Sequence, residues 1–457
     1  MHRFLALAPA LLAGGSALLT AGCAASWGGD HERLRDDLAT FAARHERAPA
    51  GPSTDPELDR RLAETVDLET LLHAARARNP ELREAAARAQ AGLEEVRRAG
   101  ALDDPMLSFQ TEGVPFRNAA SPGKAMENKI GLSQPLPFPG NLSLRSEAAL
   151  REAEGMREMV RERERDVVAR VKRAYFEYAS LSKELEIHRE HVKILEGFEK
   201  VSDIKFRNGS GSQQDVLRPQ VEQVMLHNDV FMIEQRIGST QAAINQLLHR
   251  PAAAPLGPPR EILPVEESFD LADLTARALA GRPEVLAAEF RVKASRAAHT
   301  LADREATWPD FSVGIEYMQV PDGLDGYGAM VSINLPWFTG KKSAEVRRTD
   351  RLLRADEAAV ETVRARVQFE VRDAWLRAES ARKSLALYRG ELLPKSAQGV
   401  EVSRTSYEKD KASFLDLLDS ERSLRDVKLR YTQGLAQVES AVADLERATG
   451  SDLRRKP

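Results

Sequence analysis

Asp416 and Asp419 stand three residues apart in the stretch YEKDKASFLDLLDSERS. On a helix, positions i and i+3 share one face, so the two carboxylates lie side by side. Spacing alone makes them part of a solvated, charged face. A second cluster lies in EIHREHV, where His188 and His191 stand with Glu186 and Glu190. Imidazoles and carboxylates on a helix can ligate a divalent metal. His188 also falls on an apolar seam of its helix, which favours a packed polar residue, and no metal site is expected. The chain has no HExxH, no phosphate-cradling glycine loop and no serine nucleophile elbow. No pair of acids has a cleft to act in. The residues therefore read as a non-enzyme without a cofactor.

The bulk numbers point the same way. The 457 residues are 30% charged with a net charge of −4, and only 6% are aromatic. A near-neutral balance gives no electrostatic case for nucleic acid. Ala, Arg, Glu and Leu dominate, which favours long helices over a compact enzyme core. The N-terminal MHRFLALAPALLAGGSALLTAGC has a basic start, an apolar run and small residues before a cysteine, the layout of a secretory signal. It resembles a bacterial lipoprotein signal, with Leu19, Thr20, Ala21 and Gly22 ahead of Cys23. Thr20 replaces the large aliphatic residue usual three places before the cysteine. The resemblance implies removal of residues 1–22 and lipidation of Cys23. Ala24 follows, not the Asp that retains such proteins at the inner membrane, so the outer membrane is expected. Cys23 is the only cysteine, so no disulfide is expected.

The elements that must position these residues occur twice. LETLLHAARARNPELREAAARA aligns with LADLTARALAGRPEVLAAEFRV about 200 residues on. DPMLSFQTEG aligns with WPDFSVGIEY, QPLPFPG with NLPWFTG, VKRAYFEYA with VRDAWLRAE, and FRNGSGSQQDVL with YEKDKASFLDLL. Five blocks in one order define a duplication. The expected organisation is a leader over 23–64, a first repeat over 65–250, a Pro-rich connector over 251–266, a second repeat over 267–450 and a tail over 451–457. Each repeat reads helix, strand, loop, strand, long helix, tip, helix. From about Leu142 to Arg207 there is no proline, and a helix of that length spans roughly 90 to 100 Å. Its apolar positions alternate by three and four through Val167, Val171, Ala174, Tyr178, Leu181, Leu185, His188, Val192 and Leu195. The second repeat keeps the phase through Val367, Val371, Ala374, Ala378, Ala381, Leu385, Tyr388 and Leu392. That period predicts a left-handed coiled-coil seam.

Strands are expected at about 105–114, 124–136, 309–320 and 326–335. In WPDFSVGIEYMQVPDG, Phe311, Val313, Ile315 and Tyr317 share one side, and Ser312, Gly314 and Glu316 share the other. These lengths approach the roughly 9 to 11 residues of a tilted membrane strand. Phe138, Trp308, Trp337 and Phe338 cluster near the strand ends, as aromatic girdles do. Four strands cannot close a barrel, because open edges in lipid leave backbone groups unpaired.

The duplicated order, the NPEL block from Asn79, the LPWFTG block from Leu335 and the tips resemble the TolC family of bacterial outer membrane efflux proteins. The likeness runs from about 65 to 449. It implies a mainly α fold in which long coiled-coil hairpins form an α-barrel. Four strands per chain would join a trimeric, twelve-stranded transmembrane β-barrel. It also implies a homotrimer in outer membrane lipid, a periplasmic adaptor and an inner membrane pump of the proton-driven RND type. Heavy-metal cations or small toxic compounds would be the cargo. Asp416 and Asp419 match the acidic ring at the periplasmic entrance, where crowding would raise some carboxyl pKa values and bind cations. Asp215 and Tyr407 match positions that latch neighbouring helices; Ala412 stands where a basic latch residue is usual, with Lys411 beside it. Asn208, Gly209, Ser210, Gly211 and Ser212 resemble the tip that meets the adaptor. The second tip, KDKAS, lacks the family's glycine. Pro219 either kinks its helix or sits in the first turn. The runner-up functions are a protein-secretion duct and a non-conducting structural coiled-coil lipoprotein; a periplasmic adaptor would need a compact β domain for which the strands are too few.

Overall fold

The computed structural model describes residues 32–40, 56–112, 127–209, 211–262, 268–320, 323–335, 339–409 and 411–453. Cys23, Ser210, Trp337 and Phe338 lie outside them. In chain order the elements are α1 over 32–40, α2 (Pro56–Glu64), α3 (Leu68–Arg78), α4 (Pro80–Gly100), β1 (Met106–Glu112), β2 (Glu127–Leu136), α5 (Asn141–Arg207) and α6 (Gln213–Leu247). There follow α7 (Leu271–Gly281), α8 (Pro283–Thr307), β3 (Phe311–Gln319), β4 (Gly326–Ile333), α9 (Thr339–Leu387), a π-turn (Tyr388–Leu392), α10 (Leu393–Glu408) and α11 (Phe414–Thr449). The second half repeats the element order of the first. At 67 residues, α5 is about 100 Å long. Among the described residues no helix is long and apolar enough to cross a membrane.

The chain divides into two compact units. The first draws on 32–40, 86–159 and 284–363 and carries the strands. They form one antiparallel sheet in the order β1-β2-β3-β4. Register puts Leu107, Leu132, Ile315 and Ala329 in one row and Phe109, Ile130, Tyr317 and Tyr327 in the next. This face is apolar, yet Leu107 is 77% exposed, Ile315 67% and Val331 70%. The opposite face carries Ser108, Gly131, Glu316 and Gly328 in one row. A Cβ on Gly328 would come within 2.8 Å of Glu316 Oε1, so glycine there makes room for the carboxylate. Below the sheet, Phe138 stacks on Trp308 with ring centroids 4.8 Å apart, and Arg304 donates to the Pro139 carbonyl at 2.6 Å. Leu34 and Leu38 of α1 are buried, and Arg157 pairs with Asp37 at 3.2 Å.

The second unit draws on 56–85, 160–283 and 364–453. Its core gathers Leu62, Val66, Leu71, Val167, Val171, Phe176, Tyr178, Ile244 and Leu248. The connector is stitched to it: Val66 donates to Pro258 O, Arg260 to Val66 O, and Tyr178 Oη to Gly257 O at 2.8 Å. In the NPEL block, Asn79 does two jobs. Its amide donates to Leu247 O at 3.0 Å and accepts from the Glu81 N–H at 2.9 Å, opening α4. Arg282 is fully buried between α5 and α9, paired with Glu370 at 2.7 Å and Glu162 at 3.3 Å.

The seam matches its expected phase on α5, where Val167, Val171, Tyr178, Leu181, His188 and Leu195 are buried. On the second long helix it holds from Val367 to Leu385 and then slips. Leu392 is 40% exposed, and the inward positions become Leu393, Ser396, Val400 and Ser403, each one residue late. Pro394 is the cause. It has no N–H for the Gly390 carbonyl four residues back. The backbone responds with an i→i+5 bond from Leu393 N–H to Tyr388 O, a π-turn that inserts one residue. Pro219 sits inside α6, in its second turn, and is buried there.

Candidate functional site

Two helical tips, both in the second unit, hold most of the residues singled out by sequence. Each tip turns into its returning helix through the same device. At the first, Ser212 is the N-cap of α6: its hydroxyl accepts from the Asp215 N–H at 3.2 Å, and Asp215 Oδ2 takes the Ser212 N–H at 3.1 Å. At the second, Ser413 caps α11: its hydroxyl accepts from the Asp416 N–H at 3.2 Å, and Asp416 Oδ2 takes the Ser413 N–H at 2.9 Å. Such reciprocal boxes satisfy donors that a helix start otherwise leaves open. The hydrogen bonds from Ser413 hold the Asp416 carboxyl below its ordinary pKa.

Asp416 and Asp419 are both exposed on the α11 face that their spacing predicts. Asp419 pairs with Arg422 at 3.3 Å. Asp215 and Tyr407 each have other neighbours within the chain. Asp215 is engaged by Ser212, while the Tyr407 ring meets Phe414 edge-on at 5.9 Å and lies 4.1 Å under the Lys205 ammonium. Lys411 is exposed, and its backbone N–H donates to Ser406 O at 2.8 Å. Asn208 closes α5 by donating to Ile204 O, and Gly209 turns the chain with φ +73°. A Cβ on Gly211 would come within 3.2 Å of Lys205 Cβ and the Phe206 nitrogen, a close approach that favours glycine.

What joins the two hairpins was not read from sequence. Leu195, Leu226, Phe414 and Leu418 form a small core flanked by Val192, Phe198 and Tyr407. Further from the tips, Glu222 of α6 is 5% exposed and accepts from both Arg422 and Arg425 of α11, the latter at 3.3 Å. His188 and His191 lie beside this node, 8% and 3% exposed. Burial, then the Arg425 charge, pushes the His191 pKa down to about 4. His188 is lowered as well, with burial the largest cause. Among the described residues no three His, Cys, Asp or Glu side chains gather to hold a metal ion.

The sheet thus leaves an apolar face exposed, and the two capped helical hairpins pack on one another. The chain belongs to the outer membrane efflux protein family, whose sequence model matches it twice, over residues 71–248 and 274–451. It is 25% identical over 352 residues to the outer membrane protein OprJ of Pseudomonas aeruginosa, covering 71% of this chain and 70% of that one. Its fold is similar to the outer membrane protein VceC of Vibrio cholerae, with a TM-score of 0.72 at 18% identity over 85% of this chain and 97% of that one. It is similar also to the open state of the MtrE outer membrane channel of Neisseria gonorrhoeae, with a TM-score of 0.70 at 20% identity over 85% and 90% of the two chains. The protein is thus an outer membrane efflux channel.

Proposed function

We propose that three copies close one duct. Four strands from each chain would complete a twelve-stranded barrel in the outer membrane, and the long helices would line a tunnel across the periplasm. The observation that carries this is the sheet: its apolar face is exposed, and among the described residues β1 and β4 each pair on one side only. Unpaired edges in lipid cost several kcal/mol per backbone group, so sister sheets must cover them. The MtrE neighbour, described as an outer membrane channel in an open state, supports the reading. Cargo, either heavy-metal cations or small toxic compounds, would arrive from an RND-type inner membrane pump through a periplasmic adaptor docked on Asn208–Ser212. Lipidated Cys23 would tether each chain. Asp416 and Asp419 would ring the entrance with six carboxylates, and Asp215, Tyr407 and Lys411 would latch neighbouring helices across protomers.

Detergent extraction followed by mass measurement tests the assembly: three chains per particle are expected, and a monomer that carries no current in planar bilayers would sink the proposal. Asp416→Asn with Asp419→Asn should weaken block by divalent cations in single-channel recordings. Unchanged block removes these aspartates from the entrance.

A further inference from the structure

The node beside the histidines has a chemistry that neither the caps nor the entrance aspartates use. Glu222 is a buried carboxylate shared by two guanidinium groups of another helix. Such an anion is stable while its cations stay and costly when they leave. His191 Nε2, on a ring that feels both the Glu222 and Arg425 charges, and His188 Nδ1, on a ring that feels Arg425, are buried without a hydrogen-bond partner. We propose that this seam is an acid-sensitive clasp: protonation of His191, joined by His188, draws Glu222 away from Arg422 and Arg425 and frees the start of α11 from α5 and α6. A wider entrance in acid is its consequence only if the duct reading holds; the clasp itself is a property of the single chain.

The surrounding charges decide the direction. From α5 come Glu184, which accepts from Ser180 at 3.0 Å, and Glu190, which lies 3.8 Å from Lys428 of α11. From α6 come Glu222 and Asp229, and from α11 come Arg425 and Asp426, themselves paired at 2.9 Å. Glu421 of α11 lines the same small void as His191 and is held by Arg404 of α10 at 3.2 Å. Burial and Arg425 outweigh the carboxylates at His191, so both rings are neutral at pH 7. A protonated His191 becomes a third cation at Glu222 and cannot stay dry beside Arg425. The folded pKa lies below the ordinary value, so the closed seam binds fewer protons than the parted one. Acid therefore favours parting, beginning below pH 6.5 and completing near the His191 value of about 4. Asp416 stays largely ionised through most of that window, because its pKa is lowered from 3.8.

Spin labels at Asn228→Cys on α6 and Ser423→Cys on α11, both exposed positions, report the separation. They are carried on full chains with Cys23→Ser, diluted into assemblies of unlabelled chain. One narrow distance is expected at pH 7. A longer-distance population should rise at least tenfold by pH 4.5. His188→Gln with His191→Gln should keep the narrow distance at pH 4.5, and Glu222→Gln should show the long one already at pH 7. A wild-type distance indifferent to pH overturns the clasp, as does an acid response that survives the double glutamine variant. If that variant shows no narrow distance at pH 7, Glu222→Gln decides: a closed seam overturns the proposal and a parted one upholds it. Ion current recorded on the same samples separates the two claims, since absence of current at every pH counts against the duct and leaves the clasp standing.

Discussion

The two tip hairpins share a cap and differ in their shafts. Ser212 with Asp215 and Ser413 with Asp416 form the same capping box. The first shaft, α5, runs unbroken through 67 residues. The second is interrupted by the π-turn at Tyr388–Leu392, and Gly390 and Pro394 stand within or beside it. Duplication preserved what starts the returning helix and let the shaft that leads to it diverge. One hairpin is built as a continuous rod; the other has a π-turn where backbone bonding changes register. Near the tips, the interrupted hairpin is held to the rod by the Leu195–Leu226–Phe414–Leu418 core and the Glu222 ion pairs.

The largest effect expected from breaking this arrangement is in that core. Leu418 is fully buried against residues of both hairpins. Leu418→Ala should destabilise the protein by about 3 kcal/mol, within the range for buried leucines. Thermal unfolding of detergent-solubilised protein measures it. A loss under about 1 kcal/mol would mean that the hairpins are held elsewhere. The next effect depends on pH. His191 is neutral when folded down to about pH 4, whereas an unfolded histidine titrates near 6.5. Stability should be full above pH 6.5 and fall as pH drops toward 4, by up to about 3 kcal/mol from this residue. His191→Gln should flatten that limb of the stability curve.

Different parts of this comparison were legible in the sequence to different degrees. The α5 seam could be read because a three-four period survives in the residues themselves. The four strands came within a few residues of their observed ends, for the same reason at period two. The slip at Leu392 was hidden: Pro394 announces a lost hydrogen bond but not whether the helix stops, kinks or takes up a π-turn. The caps were in plain view as Ser-x-x-Asp, yet Asp215 and Asp416 were read through the family's latch and entrance, which concern contacts between chains. Within one chain their carboxylates serve the helix starts. Glu222 and Arg422 are 200 residues apart, and no local spacing links them. His191 was set aside because one seam was counted on α5, whereas this stretch faces both α6 and α11 and buries Glu184, Ile187 and His191 as well.

The shared cap gives a matched test. Ser212→Ala and Ser413→Ala should each cost about 1 kcal/mol. Hydrogen exchange at the amides of Asp215 and Asp416, the two N–H groups the serines accept from, reads each site separately. Equal losses would show that the caps are interchangeable. A much smaller loss at Ser413 would mean that the second tip is already frayed. The second cap also has an acid limit. Because the Asp416 pKa is lowered, its contribution is present above pH 3.8 and disappears as pH falls through the folded value.

The smallest and most discriminating change is a methyl group on each shaft. Gly197 of α5 and Gly390 of the π-turn are both exposed, and a Cβ on either meets nothing within 4 Å in the chain. In a plain helix, alanine for an exposed glycine adds roughly 0.5 to 1 kcal/mol, chiefly by narrowing the unfolded ensemble. Gly197→Ala should therefore raise thermal stability and change nothing else. Gly390→Ala should raise it by a similar amount if the π-turn is static. If the turn works as a joint, glycine is there for the backbone angles it visits when moving. The alanine variant would then be stiffer, with slower exchange at the amides of 388–393 and a slower response of the α6–α11 distance to acid. Equal behaviour of the two variants in exchange and in distance would reduce the π-turn to a register correction for Pro394 and leave the two shafts mechanically alike.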